Sequence, residues 1–248
     1  MKYIAAIDDT DDIHSYSTGI IAENLSQILS QELQCSTSPI LRHQLLLDDR
    51  IKYTSHNSSM SFELTAENDI LQQIILISIK YLEENHSEEA DPGLCVVSTS
   101  DLIHPEKLIS YGFRAKNEFI QLEEAYKLAE ELSVHLSAHG GTGEGVIGAL
   151  AGAGLRLSGN DGKFRKTVPI DINCEEMSVS TLIIQAGIEC ICDIDGNELG
   201  GNTNIFIRDR IKKIIKNNKT ALLVKKVVIE NEEMWTNYTV QELKELNL

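Results

Sequence analysis

Tyr3-Ile4-Ala5-Ala6-Ile7-Asp8-Asp9-Thr10-Asp11-Asp12 runs from an apolar segment of strand length straight into four carboxylates in five residues. Like charges this close repel, so the arrangement is tolerable only where water or a cation disperses the charge. One reading is a strand end that binds Mg²⁺, which takes hard oxygen ligands, one or two carboxylates among them, beside substrate phosphates. The other is a solvated acidic turn, because Asp is a common turn residue. Ser15, Ser17 and Thr18 follow with hydroxyls able to cap a helix. Ile21, Leu25, Ile28 and Leu29 then recur at helical spacing, which predicts a helix over Gly19 to Glu32. Strand, acidic turn and helix open a mixed α/β (α+β) fold.

With 248 residues, 42% of them apolar, the chain can bury one large core or two smaller ones. A formal charge of −16 argues against a protein whose main task is gripping a nucleic-acid backbone. The five cysteines include no Cys-x-x-Cys pair, so they read as reduced thiols and not as a disulfide framework or zinc site. Cys190 and Cys192 share one face of a strand, as small buried hydrophobes would. No apolar run reaches about 18 residues and no basic leader precedes one. A soluble, cytoplasmic protein with no membrane partner is expected.

Further along, Ile40 to Leu47, Met60 to Leu64 and Leu94 to Val97 read as strands, and Asn68 to Leu82 and Phe119 to Leu136 as helices. Lys52 and His56, in the polar loop before Met60, are candidates for the cations a phosphoryl transfer needs. Ser98-Thr99-Ser100-Asp101 is a hydroxyl-rich strand end that holds either a ligand or only a turn. The second pole of the molecule is Gly140-Gly141-Thr142-Gly143-Glu144-Gly145-Val146-Ile147-Gly148, continuing as Ala149-Leu150-Ala151-Gly152-Ala153-Gly154. Its first half suits a tight backbone with positive φ, and its second half a closely packed helix. A glycine loop feeding a helix N-terminus offers N–H groups and a favourable dipole to phosphate. Gly143-x-Gly145-x-x-Gly148 matches the dinucleotide fingerprint, but a helix is expected before it in place of a strand, which argues against a Rossmann site. Ser158-Gly159-Asn160-Asp161-Gly162-Lys163 adds a second polar glycine cluster. His139 abuts the loop and is a candidate phosphate contact. His135, four residues earlier, would share a helix face with it. An acidic pole that binds Mg²⁺ and a glycine pole that cradles phosphate together form a physically sensible ATP site.

These residues resemble a known family. "IDDTDD" near the N-terminus, Ser17-Thr18, and "GTGEGVIGALAGAG" are similar to motifs of the kinase-like N-terminal domain of archaeal tRNA 2-agmatinylcytidine synthetase, of which standalone bacterial relatives exist. The resemblance covers roughly residues 1 to 165. It implies use of ATP and Mg²⁺ to activate a cytidine by phosphoryl transfer. In that comparison Asp8, Asp9 and Asp11 match the metal-binding motif, and Thr18 matches a threonine that becomes phosphorylated. The Gly141 to Gly145 loop matches the phosphate-side glycine motif. The family's "GNGRG" reads "GTGEG" here, so Glu144 stands in place of a basic residue. The chain also lacks paired Cys-x-x-Cys motifs and a basic tail. On that ground tRNA is not expected as a partner.

The remainder, residues 166 to 248, reads as a smaller α+β domain, with a ferredoxin-like unit as one candidate, after an ATP- and Mg²⁺-binding domain over residues 1 to 165. It has apolar runs at Leu182 to Ile184, Ile188 to Ile194, Asn204 to Ile207 and Ala221 to Ile229, and a basic helix over Arg208 to Lys219. Asp193 to Asn197 suits a hairpin turn, and Thr239-x-x-Glu242 a capping box. The functional expectation is a Mg²⁺-dependent ATP phosphotransferase. Asp9, Asp11, Thr18 and Lys52 would be catalytic, Asp8, Asp9 and Asp11 would hold metal, and His139, Gly140, Gly141, Thr142, Gly143 and Gly145 would hold the nucleotide. Its acceptor would be an unknown small molecule or Thr18 itself. The alternatives are a nucleotide sensor without turnover, favoured by Glu144, and a haloacid-dehalogenase-type phosphatase. The last is suggested by Asp9-x-Asp11 and by Val97-Ser98-Thr99 at strand ends.

Overall fold

The computed structural model describes residues 1–11, 17–51, 57–87, 89–165, 176–229 and 232–248. The chain divides into two compact units, Met1–Ser158 and Gly159–Leu248.

In the first unit the elements are β1 (Lys2–Asp8), α1 (Thr18–Leu33), β2 (Ser36–Thr37), β3 (Leu41–Gln44), β4 (Ser58–Thr65), α2 (Leu71–Asn85), β5 (Gly93–Ser98), α3 (Pro105–Arg114), α4 (Leu122–Leu132), β6 (His135–Ala138) and α5 (Gly145–Ser158). The strands form a sheet in the order β6-β5-β1-β4-β3, with β2 also on β4. Every pairing in it is antiparallel. β1 lies at its centre and is buried on both faces, which is why it reads as an uninterrupted apolar run. The pleat sends Tyr3, Ala5 and Ile7 into one core with Leu25 and Leu29 of α1 and Ile74 and Leu82 of α2. It sends Ile4 and Ala6 into a second core with Leu108 of α3, Ala129 of α4 and Val146 and Ala149 of α5. The same period-two alternation puts Asp8 on the α5 side.

One helix is shorter than its periodicity suggests. Residues 119–136 were expected to be helical throughout, but α4 stops at Leu132, where Ser133 adopts a left-handed conformation and its N–H returns to Ala129 O. Beyond it Leu132, Val134 and Leu136 continue the apolar pattern at period two, and β6 pairs with β5. A strand, not a helix, therefore precedes the glycine loop, and His135 and His139 lie along an extended segment. The dinucleotide fingerprint still lacks its setting, because the sheet is antiparallel and, among the described residues, no βαβ unit surrounds the motif.

The second unit holds β7 (Lys163–Phe164), β8 (Glu176–Ser178), α6 (Val179–Ala186), β9 (Cys190–Cys192), β10 (Asn204–Phe206), β11 (Ile214–Lys216), β12 (Lys219–Ile229), β13 (Glu232–Asn237) and α7 (Val240–Glu245). Among the described residues this order is α+β, without the βαββαβ sequence of a ferredoxin-like unit. β12 pairs with β11 and β13 antiparallel and with β9 parallel. The apolar run Leu182 to Ile184 lies on α6, where Leu182 shares a core with Leu222 and Val224. Residues 208–219 are not helical. They run through β11 into a two-residue turn at Asn217 and Asn218, both at positive φ, with Lys216 opposite Lys219. Asn tolerates positive φ, and such a turn matches the twist of a hairpin. Cys190 and Cys192 are buried as expected, and burial pushes the Cys192 thiol up to about 12. Thr239 and Glu242 form the anticipated capping box.

Candidate functional site

The site is built on one row of the sheet. Asp8 ends β1 opposite Gly93 of β5, which is opposite Ala138 of β6. Three loops leave the sheet there: the acidic turn, the approach to β5, and the glycine loop. α5 begins directly over this row. A Cβ on Gly93 would lie 2.2 Å from the Gly145 carbonyl carbon, and one on Gly148 would lie 1.5 Å from Asp8 Oδ2. Only glycine leaves room for both approaches, backbone on backbone at Gly93 and backbone on side chain at Gly148, so the first turn of α5 rests on the Asp8 carboxylate.

Asp8 is 8% exposed. Burial, with the neighbouring Asp9 and Asp11 charges, pushes its carboxyl well above the usual range. The Asp9 N–H donates to Asp8 Oδ1 at 3.0 Å, and Asp9 itself takes a left-handed backbone, φ 50°. Asp11 turns to the first residue of α1. Its Oδ1 accepts the Thr18 backbone N–H at 3.1 Å and the Thr18 hydroxyl as well. A carboxylate there neutralises an open helix N-terminus that Ser17 does not cap through its side chain. Thr10 is buried, and its N–H donates to Thr18 Oγ1 at 3.4 Å. Among the described residues the Thr10 hydroxyl has no hydrogen-bond partner.

Asp91, which the sequence presents only as the end of an acidic connector, ties the two poles together. Its N–H donates to Asp9 O at 3.0 Å. Its carboxylate accepts the Thr142 hydroxyl and the Gly143 N–H. Gly141 and Gly143 turn with φ of 54° and 85°, the positive values expected of the loop. Two donors anticipated for a nucleotide phosphate are thus held by an internal carboxylate. The signal for Asp91 was weak, because its partners lie far away along the chain.

His139 donates its backbone N–H to Pro92 O at 2.8 Å, and its side chain is 5% exposed. Nε2 lies 2.8 Å from Ser137 Oγ, which is 2.9 Å from His135 Nε2, while Nδ1 is 3.9 Å from Glu83 Oε1. Burial lowers both imidazoles below the ordinary range. Gly140 and Gly145 frame the loop, and Glu144 is exposed. Lys52, His56 and Asp12 lie outside the described residues. Among the described residues no three His, Cys, Asp or Glu side chains form a ready metal cage.

Two other expected features are separate from this row. Ser98 lies opposite Tyr3, at the other end of β1, and its hydroxyl donates to Asp101 Oδ2 at 2.5 Å as a self-contained turn. Since β1 and β5 are antiparallel, Val97-Ser98-Thr99 cannot join Asp9 and Asp11 in a dehalogenase-type centre. The polar glycine cluster after α5 serves the second unit, where Gly159 O and Asn160 Oδ1 accept the Asn218 and Asn217 N–H groups.

No protein-family model matches the chain. The chain is similar to the tRNA 2-agmatinylcytidine synthetase TiaS of Thermococcus sibiricus, 29% identical over 163 residues, covering 63% of this chain and 36% of that protein. It therefore spans about a third of the relative's length. A crystal structure of TiaS in complex with tRNA and ATP superimposes with a TM-score of 0.52 at 23% identity, over 62% of this chain and 36% of that one. A crystal structure of a tRNA fluorescent labeling enzyme gives 0.53 at 23% identity, over the same shares. Apo TiaS gives 0.51 at 21% identity, over 62% of this chain and 35% of that one. The expectation that tRNA is no partner is overturned by these relatives, one of which was solved with tRNA bound. It had rested on charge and on motifs missing outside the shared region. By sequence and by fold, the chain carries a TiaS-like domain.

Proposed function

We propose that the unit Met1–Ser158 binds ATP with Mg²⁺ at the row Asp8, Gly93, Ala138 and transfers a phosphoryl group, with an RNA of the tRNA class as the downstream acceptor. The observation that carries this reading is the Asp91 bridge. One residue holds the acidic turn through Asp9 O and the glycine loop through Thr142 and Gly143. Two segments far apart in sequence are thereby tied together at one end of the sheet.

The donor set suits Mg²⁺. Asp8 and Asp9 supply hard carboxylate oxygens, the number that Mg²⁺ takes alongside water and phosphate. The buried Thr10 hydroxyl, without a partner among the described residues, lies in the same turn. When bound, the metal would neutralise charge on the phosphate oxygens. The chain's own residues would do the rest. Asp11 already accepts the Thr18 hydroxyl, so it would orient Thr18 Oγ1 and take its proton. The new bond is Thr18 Oγ1 to the γ-phosphorus, the bond broken is that between the γ-phosphorus and the β,γ-bridging oxygen, and ADP leaves. The N-terminus of α5 favours the negative charge of the phosphates. Lys52 and His139 are proposed contributors of positive charge and of a hydrogen bond.

A second reading, a nucleotide sensor, is favoured by Glu144, an exposed acid in the loop where the related motif carries a basic residue. In either reading ATP must displace the Asp91 carboxylate from the Gly143 N–H or bind beside it. The test is incubation with γ-labelled ATP and MgCl₂, with and without total tRNA. Label on Thr18 that is absent from Thr18→Val and Asp9→Ala supports transfer. Tight ATP binding without label on protein or RNA leaves only the sensor, and absence of ATP binding removes both readings.

A further inference from the structure

Thr10 is 1% exposed, and among the described residues its hydroxyl has no hydrogen-bond partner, although carboxylates and a second hydroxyl stand in the same turn. Its backbone is fully employed. The N–H donates to Thr18 Oγ1, and the carbonyl accepts the Ser87 N–H at 3.3 Å. The side chain alone is idle. Leaving a hydroxyl buried without a partner is destabilising, and a group so placed calls for a partner that the described residues do not supply, such as an ion or its water. Valine has nearly the same shape and would fill this place without that cost.

The neighbouring groups narrow what the hydroxyl awaits. Asp8 is engaged with the Asp9 N–H and pressed on Gly148, and Asp11 is engaged with Thr18. Neither accepts from Thr10, so the missing partner is not one of these carboxylates. A divalent cation held by Asp8 and Asp9 keeps several of its own waters, and these are strong hydrogen-bond donors that require acceptors. We infer that the Thr10 hydroxyl is a positioning group for the metal, accepting a hydrogen bond from a cation-bound water at the acidic turn. This rests on the proposed Mg²⁺ site and adds a residue to it. Thr10 would act through that water and not as a direct ligand.

The test uses the full chain and MgCl₂ as probe, with wild type, Thr10→Val and Thr10→Ser. Two quantities are measured: the thermal midpoint of the metal-free protein and the Mg²⁺ affinity by calorimetry, repeated with MgATP. Thr10→Val is expected to melt at or above the wild-type midpoint without metal, because it removes an unpaired buried hydroxyl. Its Mg²⁺ affinity should fall about 3- to 10-fold, the value of one hydrogen bond. Thr10→Ser should bind within about twofold of wild type, since one such bond is kept. Wild-type affinity in Thr10→Val overturns the inference while leaving the functional reading intact. A metal-free midpoint well below wild type in Thr10→Val also overturns it, since the hydroxyl would then be structural. If wild type binds neither Mg²⁺ nor MgATP, the functional reading fails and this inference with it.

Discussion

Replacing Gly148 with alanine tests whether the Asp8 carboxylate lies beneath the first turn of α5. The added Cβ would stand 1.5 Å from Asp8 Oδ2 and 2.6 Å from its Cγ. A relaxed contact between such atoms is roughly 3.5 Å, so the carboxylate must retreat by about 2 Å. Asp8 is 8% exposed and has little room to do so. Three effects compete. Overpacking costs roughly 1–3 kcal/mol. Losing the Asp9 N–H bond to Oδ1 costs about 1 kcal/mol more. Exchanging glycine for alanine inside a helix returns about 1 kcal/mol. The expected net loss is about 1–3 kcal/mol in the first unit, read as a lower midpoint in denaturant at unchanged slope. MgATP affinity should fall at least about tenfold, because the displaced carboxylate is a proposed metal ligand. Gly200→Ala is the control, since a Cβ there meets nothing within 4 Å. If Gly148→Ala keeps both stability and MgATP binding, Asp8 does not occupy this position and the account of the site is wrong.

Two further predictions concern other carboxylates. Asp91→Asn keeps the size of the tether but weakens its two accepted hydrogen bonds, and should speed amide exchange at Gly143 by roughly tenfold, or about 1.4 kcal/mol of local opening. Unchanged protection at Gly143 would count against the bridge. Glu242 is raised by its partial burial, but the Thr239 N–H, Lys225 and Arg208 outweigh this and bring it down to about 2. A folded value below the unfolded one means that its stabilisation is fully present above about pH 4.5 and fades as the pH falls towards about 2. Glu242→Gln should therefore be less stable than wild type at pH 7, on the order of 1–2 kcal/mol once solvent screening of a partly exposed group is allowed for. The gap should close near pH 2, and a gap independent of pH would remove the ionic explanation.

What the sequence disclosed divides by the range of the interactions involved. β1, α1 and the glycine-rich α5 follow from local patterns: an apolar run, a helical period, and small residues three and four apart. The contact of Asp8 with Gly148 in the first turn of α5 joins residues 140 positions apart, which no local pattern discloses. Asp91 was not legible, because its carboxylate acts across the fold and Asp-Pro-Gly reads equally well as an ordinary turn. Thr10 was passed over because a threonine among four aspartates carries no pattern of its own. Two elements were misread for one reason, that charge and apolar spacing cannot fix a period over so few residues. Val134 to Leu136 suits either a helix end or a strand. Residues 208–219 mix basic and apolar side chains, and their better guide was Asn217-Asn218 at the hairpin tip. The expectation against tRNA failed differently, because net charge describes a whole chain and not a particular surface.

α5 has one more consequence, for the order in which the molecule is made. Gly145, Gly148, Gly152 and Gly154 weaken this helix by about 1 kcal/mol each relative to alanine, so it has little tendency to form alone. It becomes a helix by docking on β1 and β5, at the end of its unit and against strands laid down earlier. Until then Asp8 faces water and ionises as a free aspartate does, and the turn after β1 is an open acidic peptide. The desolvated carboxylate and the first turn of α5 form together in a single long-range closure, of the kind that slows folding. A nascent or partly unfolded chain therefore has these residues without the buried electrostatics that arise only when the unit closes.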